Sequence, residues 1–303
     1  MGKEYIKVLQ ALNVDFEVVG RGKENCNTLR KTFPSIKVIE GGIEAFDHGG
    51  EFTHAIIASS IHSLFENSIC VLKSGIKQIL LEKPGATNSL SIRQLAQLSQ
   101  DHKATILLAY NRRFYSSIRK AKEMIEEDGG VLSFLFEFTE WAHTIEPLLL
   151  PDDVKQNWFL ANSSHVVDTA FYLAGAPQEL KAFGKDSLEW HKSAAIFSGS
   201  GISEKGALFS YHANWKAPGR WGLELLTANH RLILRPMEIL QIMRPKSVAI
   251  EEVEIDDRLD KEFKPGLFLQ TKNFLNQQHN NFCTIHEQSK LATTFYNKIS
   301  LEA

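Results

Sequence analysis

The stretch LLEKPGAT, residues 80–87, places an acid, a lysine and a proline at the end of an apolar segment. IKQILLEKP (76–84) predicts a strand, so Lys83 would leave the sheet at the edge where α/β folds bind ligands. Burial at such an edge can shift the pKa of a lysine enough for proton transfer, or can hold its ammonium against a substrate hydroxyl. The alternative is that Glu82 and Lys83 form a solvated pair and that Pro84 only begins the next loop.

Two further segments predict neighbouring strands of the same sheet. HAIIASS (54–60) and ATILLAY (104–110) are short and apolar on both faces, and helix-forming segments separate them from IKQILLEKP. This pattern indicates a parallel sheet covered by helices on both sides, with ligands at the carboxyl ends of its strands. We therefore expect a Rossmann-like dinucleotide-binding domain over residues 1–109.

The pattern of the sequence changes after Tyr110. FYSSIRKAKEMIEEDGG predicts one long helix closed by two glycines, and VLSFLFEFTEWAH predicts a long strand with alternating faces. From Leu180 to about Val253, strand-like segments are separated by the turns SGSG, KAPG and TANH, as in an antiparallel sheet. Residues 110–303 are therefore expected to form an α+β domain with a mainly antiparallel open sheet.

Composition argues against several classes of protein. The 303 residues carry a formal charge of −2 and the basic residues are scattered, so neither a nucleic acid nor an anionic membrane is expected as partner. No apolar run approaches the ~20 residues of a membrane-spanning helix and no signal peptide is visible, so a cytoplasmic protein is expected. Cys26, Cys70 and Cys283 are isolated, which indicates neither a disulfide framework nor a zinc site.

Several motifs, in order and with their spacing, resemble the glucose–fructose oxidoreductase / inositol dehydrogenase family (Gfo/Idh/MocA) over nearly the whole chain. A strand is followed by His62 at the start of a helix, and the segment from Leu72 to Pro84 ends in E-K-P. The segment from Asn111 to Phe114 is similar to the N-x-R-F of the family. SSHVVDTAFYLAG resembles its H-x-x-D-x-x-x-x-l-x-G helix, and FKPGLFLQTKNFL resembles its k-p-G segment.

The resemblance implies an NAD(P)-dependent oxidoreductase that transfers a hydride between nicotinamide and a hydroxyl or carbonyl of a sugar, polyol or sugar nucleotide. It implies a Rossmann-like domain for the cofactor, and a second domain for the substrate and for assembly into a homodimer or homotetramer. No metal is expected. The expected cofactor contacts are Gly2, Arg21, Ser59, His62, Glu82 and Lys83, and the expected substrate contacts are Arg113 and Trp158.

Three residues carry the catalytic roles that the resemblance implies. Lys83 would contact both nicotinamide and substrate, and His165 would act as general acid–base, for which an imidazole with a pKa near working pH is suited. The alternative for His165 is a helix-start histidine bonded to backbone. Asp168 lies three residues on, on the same helix face, where it could orient the imidazole or be a structural buried carboxylate.

Two positions depart from the family pattern. Many members carry an aspartate four residues before the histidine, where this chain has Ala161, and a W-R where it has Trp158 and Phe159. The acid–base apparatus would then depend on His165 and Lys83 alone. A non-catalytic binding or scaffold protein with an impaired cofactor site is therefore the alternative function.

The opening MGKEYIKVLQALNVDFEVVG predicts a helix and then a strand, without the strand that precedes this helix in the family. Met1 and Gly2 coincide with the last Met-Gly of the family's G-x-G-x-x-G fingerprint, whose glycines let backbone N–H groups approach the cofactor pyrophosphate. We expect that the sequence starts inside its cofactor loop, through a start codon assigned too late, a shortened gene or a trimmed chain.

The residues after the strand VDFEVVG bear on the choice of cofactor. An acid there would bind the ribose diol of NAD, but this chain has Gly20, Arg21 and Gly22. A glycine leaves room and an arginine can pair with a 2′-phosphate, so Arg21 favours NADP over NAD. The alternative is a solvated loop arginine.

Overall fold

The structure is a computed structural model that describes residues 1–46 and 51–301. Its first half alternates strands with helices, as the apolar periodicity predicts. The strands are β1 (Glu17–Gly20), β2 (Lys37–Glu40), β3 (His54–Ile57), β4 (Gln78–Leu81) and β5 (Thr105–Leu108). The helices are α1 (Gly2–Ala11), α2 (Lys23–Thr32), α3 (Ile61–Lys73) and α4 (Ser89–Asp101).

The second half is built around a large sheet. Its strands are β6 (Ser133–Glu137), β7 (Pro177–Lys185), β8 (Ile196–Ser203), β9 (Leu208–Asn214), β10 (Gly222–Leu226), β11 (Arg231–Leu234), β12 (Gln241–Met243) and β13 (Glu251–Glu252), and β14 (Cys283–Thr284) follows later. Its helices are α5 (Ser116–Glu127), α6 (Ala142–Ile145), α7 (Asp152–Gln156), α8 (Ser164–Ala174), α9 (Arg258–Glu262), α10 (Leu267–Leu275), α11 (Ile285–Leu291) and α12 (Asn297–Ser300). Within the two described ranges, none of the helices is long and apolar enough to cross a bilayer.

The parallel strands form the sheet edge that the sequence predicts. β3, β4 and β5 pair side by side in parallel. In the central strand β4, the side chains of Ile79 and Leu81 are fully buried, as expected for a sheet that is covered on both faces. β14 adds to β5 in antiparallel orientation, so the C-terminal part of the chain returns to this sheet. β1 and β2 form a separate parallel pair. Glu82 and Lys83 follow β4 directly, at its carboxyl end.

The large sheet has the strand order β13-β12-β11-β10-β6-β9-β8-β7. Its neighbours are antiparallel except for β6 and β9, which confirms the predicted mainly antiparallel sheet. α8 covers one face because its aromatic side chain meets those of the sheet. The ring of Phe171 lies 6.0 Å from that of Phe134 and 5.6 Å from that of Phe136, edge to face. This packing fixes α8, and with it the predicted acid–base residue, against the sheet.

The predicted long helix after Tyr110 is shorter than the sequence suggests. Asn111–Phe114 form a 3-10 turn, and α5 begins at Ser116. The reason is a capping contact from a distant segment, since the backbone N–H of Ser116 donates to Oδ2 of Asp260 at 2.7 Å. The helix propensities of residues near Ser116 cannot indicate a contact with Asp260, which lies far along the chain.

The predicted long strand VLSFLFEFTEWAH is likewise cut short, at Glu137. The N–H of Phe138 still donates to the carbonyl of His212 at 3.2 Å, and hydrogen bonds that involve side chains follow. The indole Nε1 of Trp215 donates to the carbonyl of Phe138 at 3.1 Å, and the N–H of Asn214 donates to Oγ1 of Thr139 at 3.1 Å. The chain can therefore turn away from the sheet, and α6 follows.

The N-terminal helix α1 packs on α10 and on the parallel sheet. Tyr5 and Val8 are buried in a cluster with Leu80, Leu107 and Phe274. The apolar face of α1 is thereby covered, which is what stabilises so short a helix.

Gly266, just before α10, gives a first prediction about the fold. Its φ is +73°, and a Cβ added there would lie 2.1 Å from the carbonyl oxygen of Asn111. Gly266→Ala should therefore combine backbone strain with a steric clash, and lower the free energy of unfolding by about 2–5 kcal/mol in urea denaturation.

Gly129→Ala is the matched control for this substitution. Gly129 also has a positive φ, of +81°, but no atom lies within 4 Å of an added Cβ. It should cost only the strain of the left-handed conformation, about 1 kcal/mol. Equal losses in the two variants would contradict the role assigned to the contact between Gly266 and the 3-10 turn.

Candidate active site

Lys83 connects the parallel sheet to the segment that leads into α8. The N–H of Glu82 donates to the carbonyl of Ile57 at 2.9 Å, which keeps the chain aligned with β3 just before the lysine. The ammonium Nζ of Lys83 donates to the carbonyl of Ala161 at 2.5 Å. Ala161 belongs to a π-helical turn, Phe159–Ser163, that runs directly into α8. The lysine therefore lies one turn from His165.

Burial makes Lys83 a stronger acid than an ordinary lysine. Desolvation lowers its pKa to about 8, although the negative charge of Glu82 opposes the shift. The positive charge of Arg112 lowers the pKa further. Its partner at position 161 is a backbone carbonyl rather than a carboxylate, so no full negative charge sits there to hold the proton. The group remains mostly an ammonium at pH 7 and can release a proton near pH 8.

Glu82 is held by the N-terminal helix. The hydroxyl of Tyr5 donates to Oε1 of Glu82 at 3.1 Å. Burial raises the pKa of the Glu82 carboxyl, while Lys83 and the hydrogen bond from Tyr5 lower it in part. Glu82 thus accompanies Lys83 as a partly buried neighbour, rather than as the solvated partner of the alternative reading.

His165 is a neutral imidazole in this site. Its side chain is 9% exposed and lies against the rings of Tyr110 and Trp221, with centroid distances of 5.8 Å and 6.2 Å. Burial lowers its pKa well below the usual value, and the positive charges of Lys83 and Arg112 add to the effect. Its Nδ1 is buried without a hydrogen-bond partner. A neutral imidazole with an unused nitrogen is able to accept a proton from a ligand.

Asp168 faces an arginine instead of the imidazole. Nε of Arg113 donates to its Oδ2 at 2.8 Å and Nη2 donates to its Oδ1 at 2.7 Å. Burial raises the pKa of the Asp168 carboxyl, and the charge of Arg113 offsets part of that rise. Both hydrogen bonds of Asp168 go to the fork of Arg113 and none goes to His165. This geometry favours the structural carboxylate that the sequence left open as an alternative.

The other expected contacts are spread over the parallel half and the turn before α8. Ser59 accepts a hydrogen bond from Asn67 at 2.9 Å, and His62 Nε2 lies 3.3 Å from the hydroxyl of Ser60, the residue that directly precedes α3. Arg21 is exposed, with Nη2 3.9 Å from Oε1 of Glu44. Trp158 packs on Trp190 at 6.2 Å, and its Nε1 is buried without a partner. None of these residues has a hydrogen bond to Lys83 or Ala161.

The carboxyl edge of the parallel strands fits the nicotinamide end of a dinucleotide. Ser59 and Lys83 follow neighbouring strands there, and the charge of Lys83 is close enough to His165 to lower the pKa of its imidazole. At Gly2, the first residue of α1, no atom lies within 4 Å of an added Cβ, so a ligand could approach the backbone closely. Arg21 marks the end of β1, where a ribose or its phosphate would lie in this fold class.

Sequence reasoning assigned no role to three residues of the site. Glu140 is 2% exposed and accepts hydrogen bonds from Asn162, at 3.0 and 3.1 Å, and from Ser163 at 2.7 Å. An acid inside the apolar run FTEW was the available signal. The other two, Arg112 and Trp221, stack on each other with 4.7 Å from Cζ to the ring centroid.

The pair of Arg113 and Asp168 gives a prediction about stability. Asp168→Ala would leave a buried guanidinium without its counter-charge, so the free energy of unfolding should fall by about 3–5 kcal/mol. The control is Asp256→Ala, which removes the partner of Arg258 in an exposed pair and should leave the free energy of unfolding nearly unchanged. Both are measured by urea denaturation. A loss below about 1 kcal/mol for Asp168→Ala would show that the pair is not a structural tie.

Comparison with known proteins identifies the fold. No protein-family model matches the chain, and no curated protein matches it. Among solved structures, levoglucosan dehydrogenase in complex with NADH and levoglucosan aligns with a TM-score of 0.74 at 16% identity, over 95% of this chain and 88% of that one. The dehydrogenase MviM from Clostridium difficile aligns with a TM-score of 0.76 at 16% identity, over 100% and 95%.

A third similar structure is UDP-N-acetylglucosamine 3-dehydrogenase GnnA from Acidithiobacillus ferrooxidans. It aligns with a TM-score of 0.71 at 13% identity, over 94% of this chain and 88% of that one. Identities this low carry information about architecture and not about chemistry. The chain therefore has the Gfo/Idh/MocA dehydrogenase fold, a parallel Rossmann-like sheet followed by a mostly antiparallel one.

Proposed function

We propose that this chain is an NAD(P)-dependent oxidoreductase that transfers a hydride between nicotinamide and a hydroxyl or carbonyl of a sugar, polyol or sugar nucleotide. The observation that carries the proposal is the hydrogen bond from Lys83 to the carbonyl of Ala161, one turn before His165, at the carboxyl edge of the parallel strands. Burial lowers the pKa of both Lys83 and His165, and the charge of Lys83 is close enough to lower that of His165 further. Perturbed groups of this kind cluster where proton transfer is needed. The similar sugar dehydrogenases support the same reading.

The two residues divide the proton chemistry. A bound nicotinamide supplies the hydride acceptor or donor. The ammonium of Lys83 holds the substrate oxygen by a hydrogen bond, and its pKa of about 8 makes it a better proton donor than an ordinary lysine. The neutral imidazole of His165 takes the hydroxyl proton when an alcohol is oxidised and returns it when a carbonyl is reduced. These roles use the side chains in the protonation states that burial imposes at pH 7.

The retained pair favours catalysis over the non-catalytic alternative that Ala161 raised. A binding or scaffold protein has no use for a desolvated lysine, which costs folding free energy. Here the carbonyl of Ala161 replaces the missing carboxylate as hydrogen-bond acceptor. Asp168 enters the proposal only as the residue that holds Arg113, and Arg113 contributes to substrate binding through the donors that Asp168 leaves free.

We assign the cofactor to residues 1–109 and the substrate and assembly to residues 110–303. Gly2, Ser59, His62 and Glu82 remain the proposed cofactor contacts. The preference for NADP depends on Arg21, whose exposed guanidinium is bound only loosely by Glu44 and could exchange it for a 2′-phosphate. Levoglucosan dehydrogenase binds NADH, so the titration must include both cofactors.

A cytoplasmic homodimer or homotetramer is the proposed assembly. The support is the uncovered face of the large sheet. Along β9, exposed residues point to this face and alternate with buried residues that point to the core. Ser210 and His212 lie on that face, opposite the buried Phe209 and Tyr211. The same face carries the exposed apolar side chains of Phe183 and Leu208, which a second copy of the chain would remove from water.

The proposed function is tested by cofactor binding and turnover. NADH and NADPH are titrated into the chain by fluorescence, and a panel of sugars, polyols and sugar nucleotides is screened for cofactor reduction. Lys83→Met and His165→Gln should each lower kcat by about 10²–10⁴-fold, because each removes a proton-handling group. Lys73→Met, at an exposed lysine at the end of α3, should leave kcat unchanged. If neither NADH nor NADPH binds, the proposal is rejected.

Ala161→Asp tests the origin of the low pKa of Lys83. A carboxylate beside the ammonium favours the charged form, so the pKa should rise from about 8 by at least about one unit. Because the ammonium holds the substrate, kcat/KM falls above its pKa, and this limb of the pH profile should move to higher pH. The isosteric Ala161→Asn lacks the charge and should leave the limb near pH 8. Coincident profiles for the two variants would contradict the assignment of this limb to Lys83.

A further inference from the structure

Two consecutive arginines in the site have opposite electrostatic surroundings. Arg113 is closed by its two hydrogen bonds to Asp168. Arg112 has no ion pair and no side-chain hydrogen bond to any residue in the ranges 1–46 and 51–301, and its Nε is buried without an acceptor. Arg112 is half-buried, and a guanidinium partly removed from water without a partner costs folding free energy, so folds rarely keep one without a use.

Arg112 belongs to the same site as the proposed acid–base. Its Cζ lies 4.7 Å from the centroid of the Trp221 ring, and the imidazole of His165 lies 6.2 Å from the same indole ring. Tyr115 supports the guanidinium at 5.7 Å. Stacking between two aromatic rings fixes the plane of the fork and leaves its edge for a ligand. The charge of Arg112 is close enough to lower the pKa of both Lys83 and His165.

The surroundings add positive charge, and no carboxylate of the described residues lies within ion-pair distance of Arg112, although Glu238 and Glu140 are close enough to raise its pKa. Arg220 stacks on the same Trp221 ring at 5.0 Å from Cζ, and Nζ of Lys264 contacts only Sδ of Met1, at 2.9 Å, among the hydrogen bonds of the described chain. Neither forms an ion pair within the described ranges. The carboxylates near Arg112 and Lys83 are occupied or exposed, namely Glu82 on Tyr5, Glu140 on Asn162 and Ser163, and Glu238 at the surface.

We propose that the substrate carries an anionic group, a carboxylate or a phosphate on a sugar, and that the guanidinium of Arg112 binds it. The planar guanidinium can form two parallel hydrogen bonds with a carboxylate or with a phosphate. The Trp221 ring packs against both Arg112 and His165, so a molecule that contacts His165 lies within reach of the guanidinium. This inference rests on the proposed function, since it names the class of sugar that the dehydrogenase would take. It makes Arg112 a specificity-determining residue, while two of the donors of Arg113 stay on Asp168.

Binding is measured by calorimetry on the full chain without cofactor, so that failure of hydride transfer does not affect the result. The probes are D-glucuronate, D-glucose 6-phosphate and, as neutral counterpart, D-glucose. Wild type should bind one of the anionic sugars at least about 10-fold more tightly than glucose, and Arg112→Met should remove this difference with a loss of about 10–100-fold. Loss for glucuronate alone indicates a carboxylate substrate, and loss for the phosphate alone indicates a sugar phosphate.

Two variants keep this test sharp. Arg119→Met removes an exposed arginine one turn into α5 and should leave the preference for anions intact, which separates a local contact from net charge. Arg112→Lys keeps the charge and the packing but loses the fork, so it should bind more weakly than wild type and carries the test if Arg112→Met does not fold. Equal affinity of wild type for the anionic and neutral sugars, or binding of neither, would overturn the proposal. Arg112-dependent anion binding without any turnover would instead reject the dehydrogenase function and leave the anion site.

Discussion

The contact between the Lys83 ammonium and the carbonyl of Ala161 is the constraint on which the site depends. It is the point where the parallel sheet and the helix α8 of the second half touch through a charged group. Since that group is desolvated, its position must be held from both sides. The strand β4 fixes the lysine backbone, and the π-helical turn before α8 aims a carbonyl at its end. Displacing either half would lengthen and weaken this hydrogen bond.

Buried charge is handled in two ways in this chain. Arg113 and Asp168 neutralise each other with two hydrogen bonds, and so contribute to folding by keeping α8 against the 3-10 turn. Lys83 and Arg112 are not neutralised in this manner, and burial lowers the pKa of both. The first arrangement favours stability, while the second favours function at the expense of stability, as is general for sites prepared to meet a ligand. The distinction separates two arginines that are adjacent in sequence.

Part of this arrangement could be predicted from the sequence. Strands that are apolar on both faces predict a parallel sheet, and a lysine just after such a strand must lie at its carboxyl edge, which places Lys83. Contacts to backbone leave no sequence pattern, so the role of the Ala161 carbonyl could not be predicted. In the sequence, Arg112 and Arg113 are equally good candidates for an ion pair with Asp168. Only the three-dimensional packing shows that Arg113 forms this pair.

The N-terminal helix α1 belongs to the chemistry as well as to the fold. Tyr5 is buried in the cluster that covers α1, and its hydroxyl donates to Glu82, the residue whose charge most raises the pKa of Lys83. By stabilising the charged carboxylate, this hydrogen bond strengthens the field that keeps the lysine protonated near neutral pH. The helix α1, which packs on the sheet, thus influences the pKa of Lys83 at the carboxyl end of β4. The coupling needs no contact between α1 and substrate, because the electrostatics pass through one hydrogen bond and one peptide unit.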